Sequence, residues 1–179
     1  RRAHERQQLL GENRELKEYE RLGGDVLTDG AIGFIERNRT NPFSMTVTYQ
    51  EPHSPWTPVP EEDSAPFKDL VPTIPLEGGM QDEVGIELAQ DYTRDYYGMI
   101  TSLDRNLGRL LDSLEKNGLE DRTLVIFTSD HGFMIGHHRL IGKGHAHYYG
   151  GGRGGSIRPN MFEESMRIPL MVRFPGKVE

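Results

Sequence analysis

The sequence predicts an α/β chain, part of a three-layer αβα sandwich on a mostly parallel sheet. Residues 42–49, "PFSMTVTY", are rich in β-branched and aromatic side chains, and residues 123–129, "TLVIFTS", form a continuous apolar run. Between them an apolar stripe recurs at helical spacing from Leu88 to Leu114. Strand, long helix and strand make a crossover unit, so the two strands are expected as parallel neighbours in one sheet. A chain of 179 residues is long enough to bury a core, and one main body is the expectation.

The elements follow in order. Residues 3–21, "AHERQQLLGENRELKEYER", carry many charges and few apolar anchors, so an exposed helix or linker is expected there. That makes residues 1–24 a charged leading segment and residues 25–179 the main body. From Asp25, a fitting N-cap, Val26, Leu27, Ala31, Ile32 and Ile35 keep helical spacing to about Arg37. The strand at 42–49 follows the Asn41-Pro42 break. Seven prolines between residues 50 and 80 then impose a long irregular loop, a length that in a compact domain usually serves function. The next helix carries Leu88, Tyr92, Tyr96, Met99, Ile100, Leu103, Leu107, Leu110, Leu111 and Leu114 on its apolar face, and Asn117-Gly118 stops it. "TLVIFTS" is continuous enough to be buried on both faces. A third strand is expected at 168–174, "IPLMVRF".

Composition narrows the classes of function. A net charge of -7 without a basic stripe argues against a nonspecific nucleic-acid binder. No apolar run approaches a membrane span, and no signal peptide is visible. With no cysteine there is no disulfide and no thiolate metal site. The chain opens at Arg1 inside charged sequence and stops at "FPGKVE", which reads as a piece of a longer protein.

In open parallel sheets, ligands bind beyond the carboxyl ends of the strands. Residues 42–49 run out into Glu51 and His53, and residues 123–129 into Asp130 and His131, so two polar clusters are expected on one rim. A carboxylate beside an imidazole at a rigid strand end suits a divalent cation. An isolated Asp-His-Gly equally fits a carboxylate capping the turn beside a locally bonded imidazole. Lys143 stands between two glycines, where an ammonium has space to meet an oxyanion or simply to face solvent. His53, between prolines in "EPHSPW", fits a structural or a functional histidine.

Together these stretches resemble the formylglycine-dependent sulfatases, the arylsulfatase-like branch of the alkaline phosphatase superfamily. "TLVIFTSDHGFMIGHHRLIGKG" followed by "MFEESMRIPLMVRFPG" is similar to that family's second metal-binding strand, lysine segment and following strand. "HSPW" resembles its His-x-Pro element, and "YYGMITSLDRNLGRLLDSLEKNGLEDRTLVIFTSDHG" the helix leading into the metal strand. The likeness spans roughly residues 25–176, with several motifs in the right order. It implies an alkaline-phosphatase-like fold, incomplete here, and hydrolysis of sulfate esters. Asp130 and His131 would ligate the cation, calcium first and zinc or manganese as alternatives. Lys143 would contact the sulfate, and His53 would protonate the leaving oxygen. The resemblance further implies a maturation enzyme that generates formylglycine, and a periplasmic or secreted location.

The chain departs from the family pattern at several points. No Cys/Ser-x-Pro/Ala-x-Arg nucleophile motif is present. "SAPFK" at Ser64 has Lys68 where arginine belongs, and lies after His53 rather than at an early strand end, so the nucleophile is expected upstream of Arg1. The early Asp-Asp metal pair and a Gly-Lys-Trp-His-type segment are also missing. Gly136-His137-His138 stands where many relatives have Gly-Glu-His; His138 matches and is a candidate substrate contact. Residues 145–160, "HAHYYGGGRGGSIRPN", intervene before "MFEES"; Arg153 and Arg158 could meet an acidic substrate there, or the stretch is an ordinary insertion. Two ligands leave a cation's shell open, so tight binding by this chain alone would implicate His137, His145 and His147. The alternatives are a phosphodiesterase or phosphonate hydrolase of the same superfamily, or a degenerate relative that binds an anion or metal without turnover.

Overall fold

The computed structural model describes residues 7–10, 15–19, 21–56, 58–76, 85–143 and 161–178. Strands β1 (Gln7–Leu10) and β2 (Leu16–Tyr19) precede helix α1 (Gly23–Asn38). A short helix α2 (Glu61–Ser64) leads into the long helix α3 (Ile86–Lys116). Strand β3 (Val125–Thr128), helix α4 (Glu163–Met166) and strand β4 (Leu170–Arg173) complete the order.

The core forms where α1 crosses α3. Ala31 and Ile35 of α1 are buried with Leu110 and Leu114 of α3 and with Leu119. Ile35 is 1% exposed, and burial of such a side chain stabilises by about 1.5–3 kcal/mol. Phe43, Met45, Val47 and Tyr49 pack onto this cluster, whereas Ser44, Thr46 and Thr48 are exposed. That alternation is the period of an extended chain. Tyr49 is tied to α1 through its hydroxyl, 2.8 Å from Thr28 Oγ1.

Helix α3 ends as expected. Gly118 takes φ +66°, the left-handed value that favours glycine, and the Leu119 N–H returns to the Leu114 carbonyl at 2.9 Å. Its buried face is more polar than the stripe suggested: Thr93, Ser102, Asn106 and Ser113 are buried, while Leu88 and Ile100 are 45% and 40% exposed. Asn106 accounts for part of this, donating from Nδ2 to Asp25 Oδ1 at 3.0 Å. Beside it Arg105 reaches Asp25 Oδ1 at 3.1 Å and Asp63 Oδ2 at 2.9 Å. The Asp63 hydrogen bond holds the guanidinium still more firmly protonated, against desolvation. One arginine thus joins α1, α2 and α3.

Four expectations need correction. Residues 3–21 are expected as an exposed helix or linker, but within them β1 and β2 pair antiparallel, Gln7 opposite Tyr19 and Leu10 opposite Leu16. No apolar stripe at helical spacing holds this segment as a helix, so its backbone groups are free to pair across strands. Asp25 lies in the first turn of α1, not at its N-cap, which is Leu22. Residues 42–49 and β3 are not parallel neighbours. The first joins neither sheet among the described residues, and β3 pairs antiparallel with β4, Ile126 opposite Val172. Alternating side chains specify which face is covered, not which strand supplies the hydrogen bonds. Finally, β3 is not buried on both faces: Leu124 and Ile126 are 51% and 57% exposed, while Val125 faces the core. A continuous apolar run fits either one covered face or two.

Candidate active site

β3 delivers the first cluster. Beyond Thr128 the chain folds back sharply: Ser129 Oγ donates to the His131 carbonyl at 2.8 Å, and the His131 N–H donates to Asp130 Oδ1 at 3.0 Å. The His131 Nδ1–H donates to the Gly132 carbonyl at 2.9 Å, which leaves Nε2 as the basic ring nitrogen. That nitrogen lies 3.3 Å from Asp130 Oδ2. Desolvation acts to raise the Asp130 carboxyl, but the His131 charge, backbone N–H donors and the Lys143 charge together hold it below its ordinary value.

An ionised carboxylate oxygen and an imidazole nitrogen at that separation suit two ligands of one cation, whose ligand distances are about 2.0–2.6 Å. The pair fits as part of a coordination shell. Among the described residues, no group of three or more His, Cys, Asp or Glu is placed to hold a metal ion.

Residues 132–143 form a tight loop between this pair and Lys143. Met134 N–H donates to Gly142 O and Gly136 N–H to Leu140 O, each at 2.7 Å. Met134 and Leu140 are each 1% exposed, so buried side chains anchor the loop. Its tip is strained: Ile135, His138 and Arg139 take φ of 45°, 55° and 61°. Such backbone persists only where surrounding contacts enforce it, and it concentrates at functional sites.

His53 comes from the other direction. Its N–H returns to the Gln50 carbonyl at 2.8 Å, and its Nδ1–H donates to the Ser54 carbonyl at 2.6 Å, leaving Nε2 available. Trp56 braces the turn, donating from Nε1 to the Pro52 carbonyl at 2.9 Å. Glu51 anchors the turn to α1, its Oε1 accepting the Gly24 N–H at 2.9 Å, where a helix N-terminus favours negative charge. The Phe133 ring lies edge-on to both His53, at 5.9 Å, and Trp56, at 5.6 Å. The hollow beside His53, lined by Leu22, Gln50, Glu51 and Met99, holds only about 20 Å³, room for one water.

The predicted residues therefore divide. His53 sits against the segment that follows Asp130 and His131, and Lys143 is near enough for its charge to act on Asp130. His138 is engaged within the protein: its ring stacks on Phe162 at 4.2 Å, and Nε2 lies 3.3 Å from Glu164 Oε1. His137 meets the same oxygen at 3.2 Å through Nδ1. Arg153, Arg158, His145 and His147 lie outside the described residues. Sequence reasoning placed Glu51 in the polar cluster at the exit of residues 42–49 without giving it a role, and did not single out Glu164. The signal for Glu164 was present as the "FEES" that follows the insertion, quoted as a motif but given no role.

The scaffold is an α/β fold of alkaline-phosphatase type, with the candidate site at a strand exit. The family model "Sulfatase" matches residues 8–179, and the chain belongs to that family. It is 30% identical over 145 residues to an endo-4-O-sulfatase of Bacteroides thetaiotaomicron, covering 80% of this chain and 26% of that protein. It is 31% identical over 153 residues to a choline-sulfatase of Rhizobium meliloti, covering 75% of this chain and 27% of that protein. Among solved structures, the yidJ protein of Bacteroides fragilis superposes with a TM-score of 0.78 at 28% identity, over 98% of this chain and 37% of that one. A phosphonate monoester hydrolase of Agrobacterium radiobacter gives 0.68 at 25% identity, over 86% of this chain and 33% of that one. The chain thus spans about a quarter to a third of the length of these relatives. Sulfatases are divalent-metal enzymes. Among the described residues, no helix is long and apolar enough to cross a membrane.

Proposed function

We propose that this chain is the part of a sulfuric ester hydrolase that carries one wall of the active site. The observation that supports this best is the Asp130–His131 pair at the exit of β3, with Nε2 freed by the Gly132 carbonyl and 3.3 Å from the carboxylate. Asp130 and His131 hold a divalent cation; calcium suits the exposed carboxylate, and the imidazole keeps zinc and manganese in play. When bound, the cation draws negative charge from the sulfate oxygens. The Lys143 ammonium stabilises the charge that grows on the transferring group. His53, with Nδ1–H held by Ser54, presents Nε2 to the leaving oxygen and delivers a proton there. The nucleophile comes from outside these residues, since no cysteine is present and Ser64 lies in the last turn of α2. Its maturation to formylglycine by a separate enzyme belongs to the same proposal, as does a sulfate ester as substrate.

A phosphonate or phosphodiester hydrolase is the second reading, favoured by the likeness to the phosphonate monoester hydrolase. The deciding experiment assays the complete protein, loaded with calcium, on aryl sulfates and on matching phosphonate monoesters and phosphodiesters. Faster turnover of the sulfates is expected. Faster turnover of the phosphorus esters would transfer the assignment to the second reading.

A further inference from the structure

We infer that Ser165 is a positioning residue that sets the separation between the Asp130–His131 pair and Lys143; the inference rests on the roles proposed for those residues. Ser165 lies in α4 and is 7% exposed, an unusual place for a hydroxyl unless it is used. Its carbonyl accepts the Gly132 N–H at 2.9 Å, and its Oγ–H donates to the Lys143 carbonyl at 3.2 Å. Gly132 and Lys143 are the two ends of the 132–143 loop. One residue therefore closes the mouth of the loop, with the cation pair on one side and the lysine on the other.

The approach of Gly132 is too close for any other residue. A Cβ at that position would stand 2.0 Å from the Glu164 carbonyl oxygen and 3.2 Å from that of Arg167. Inside the mouth the loop is braced by the Met134–Gly142 and Gly136–Leu140 bonds, which stay closed while the two ends of the loop are held together. Its strained tip is held by the same turn, through Glu164 to His137 and His138 and through Phe162 stacked on His138. With tip and body fixed, the position of the Lys143 backbone relative to Asp130 depends on the mouth. Misplacing a charged group by about an ångström lowers turnover steeply, because electrostatic stabilisation requires it in place before the reaction.

The hydroxyl can be removed without touching the carbonyl. In the complete protein, Ser165→Ala keeps the Gly132 bond and removes the hydroxyl's hold on the Lys143 carbonyl. The expected result is a roughly tenfold fall in kcat on an aryl sulfate such as 4-nitrophenyl sulfate, with calcium affinity unchanged and faster amide exchange in residues 134–143. Ser165→Thr, which keeps the hydroxyl, restores turnover and protection. Wild-type kcat in Ser165→Ala overturns the inference. So does a loss of calcium affinity in proportion to kcat, which would mean general loosening. Failure of the parent protein to hydrolyse sulfates would sink the proposed function instead. The exchange comparison would still decide the inference, unchanged protection in Ser165→Ala refuting it.

Discussion

Gly132→Ala tests whether the candidate site and the fold share one contact. The added methyl would sit 2.0 Å from Glu164 O and 2.9 Å from its carbonyl carbon, where ordinary contact begins at 3.4 Å. Both near atoms are backbone, so no side chain can swing aside. Relief requires the strand exit and α4 to part by more than an ångström, which breaks the 2.9 Å Gly132–Ser165 hydrogen bond. Overpacking of this kind costs about 1–3 kcal/mol, and the lost hydrogen bond adds about 0.5–1.5 kcal/mol. A loss of about 1.5–4.5 kcal/mol should appear in urea titrations of parent and variant as a lower midpoint at constant slope. Gly30→Ala and Gly108→Ala are the internal controls. Both glycines are helical with nothing within 4 Å of the added carbon, so these changes should stabilise by about 0.5–1 kcal/mol. If Gly132→Ala unfolds within about 0.5 kcal/mol of the parent, within the range of an ordinary surface substitution, α4 does not sit against the strand exit and the positioning role of Ser165 falls with it.

Further expectations follow from other contacts. In the complete protein, Lys143→Ala should lower sulfate-ester turnover roughly a hundredfold to a thousandfold, and near-normal rates would remove the lysine from the site. His53→Ala should hurt most on aryl sulfates with poor leaving groups; an equal loss across a graded series would mean that His53 donates no proton. Arg105→Met strands the buried Asp63 and leaves Asp25 with Asn106 but without this arginine, and should destabilise by about 1–3 kcal/mol, discounted for an arginine one-third exposed; an unchanged urea midpoint would show that the three helices do not depend on it. Glu164 predicts an acid transition. Desolvation acts to raise its carboxyl, but backbone hydrogen bonding and His137 and His138 bring it below the ordinary 4.5. A depressed folded value means that its contribution is full above the unfolded value and is lost as pH falls through the folded one. Amide protection in residues 134–140 should therefore fall in that acid window, and Glu164→Gln should abolish the step.

The parts of this molecule that were legible in the sequence are those a local pattern encodes. α3 announced itself by periodicity and its glycine stop, and β3 and β4 by apolar runs between polar segments. The Asp130–His131 pair was visible as polar groups placed directly after an apolar run. The covered face of residues 43–49 was legible too, in the alternation of Phe43, Met45, Val47 and Tyr49. Its pairing partner was not, because a ladder is made of backbone groups that every residue carries. The same limit hid Ser165 and Glu164. Their grip on the loop runs through carbonyls and through residues more than twenty positions away, and no spacing rule reports that. His138 shows the converse. Its match to the family pattern suggested a substrate contact, and the structure gives the ring two partners inside the protein.

The most direct measurement is a crystal structure of the complete protein with calcium and a sulfate ester or sulfate ion bound. Asp130 Oδ2 and His131 Nε2 should both lie within about 2.0–2.6 Å of one cation, with Lys143 Nζ and His53 Nε2 in hydrogen-bond reach of the anion. A cation bound elsewhere, or His53 on the opposite side of the sheet from Asp130, would contradict a sulfate-ester site at the exit of β3.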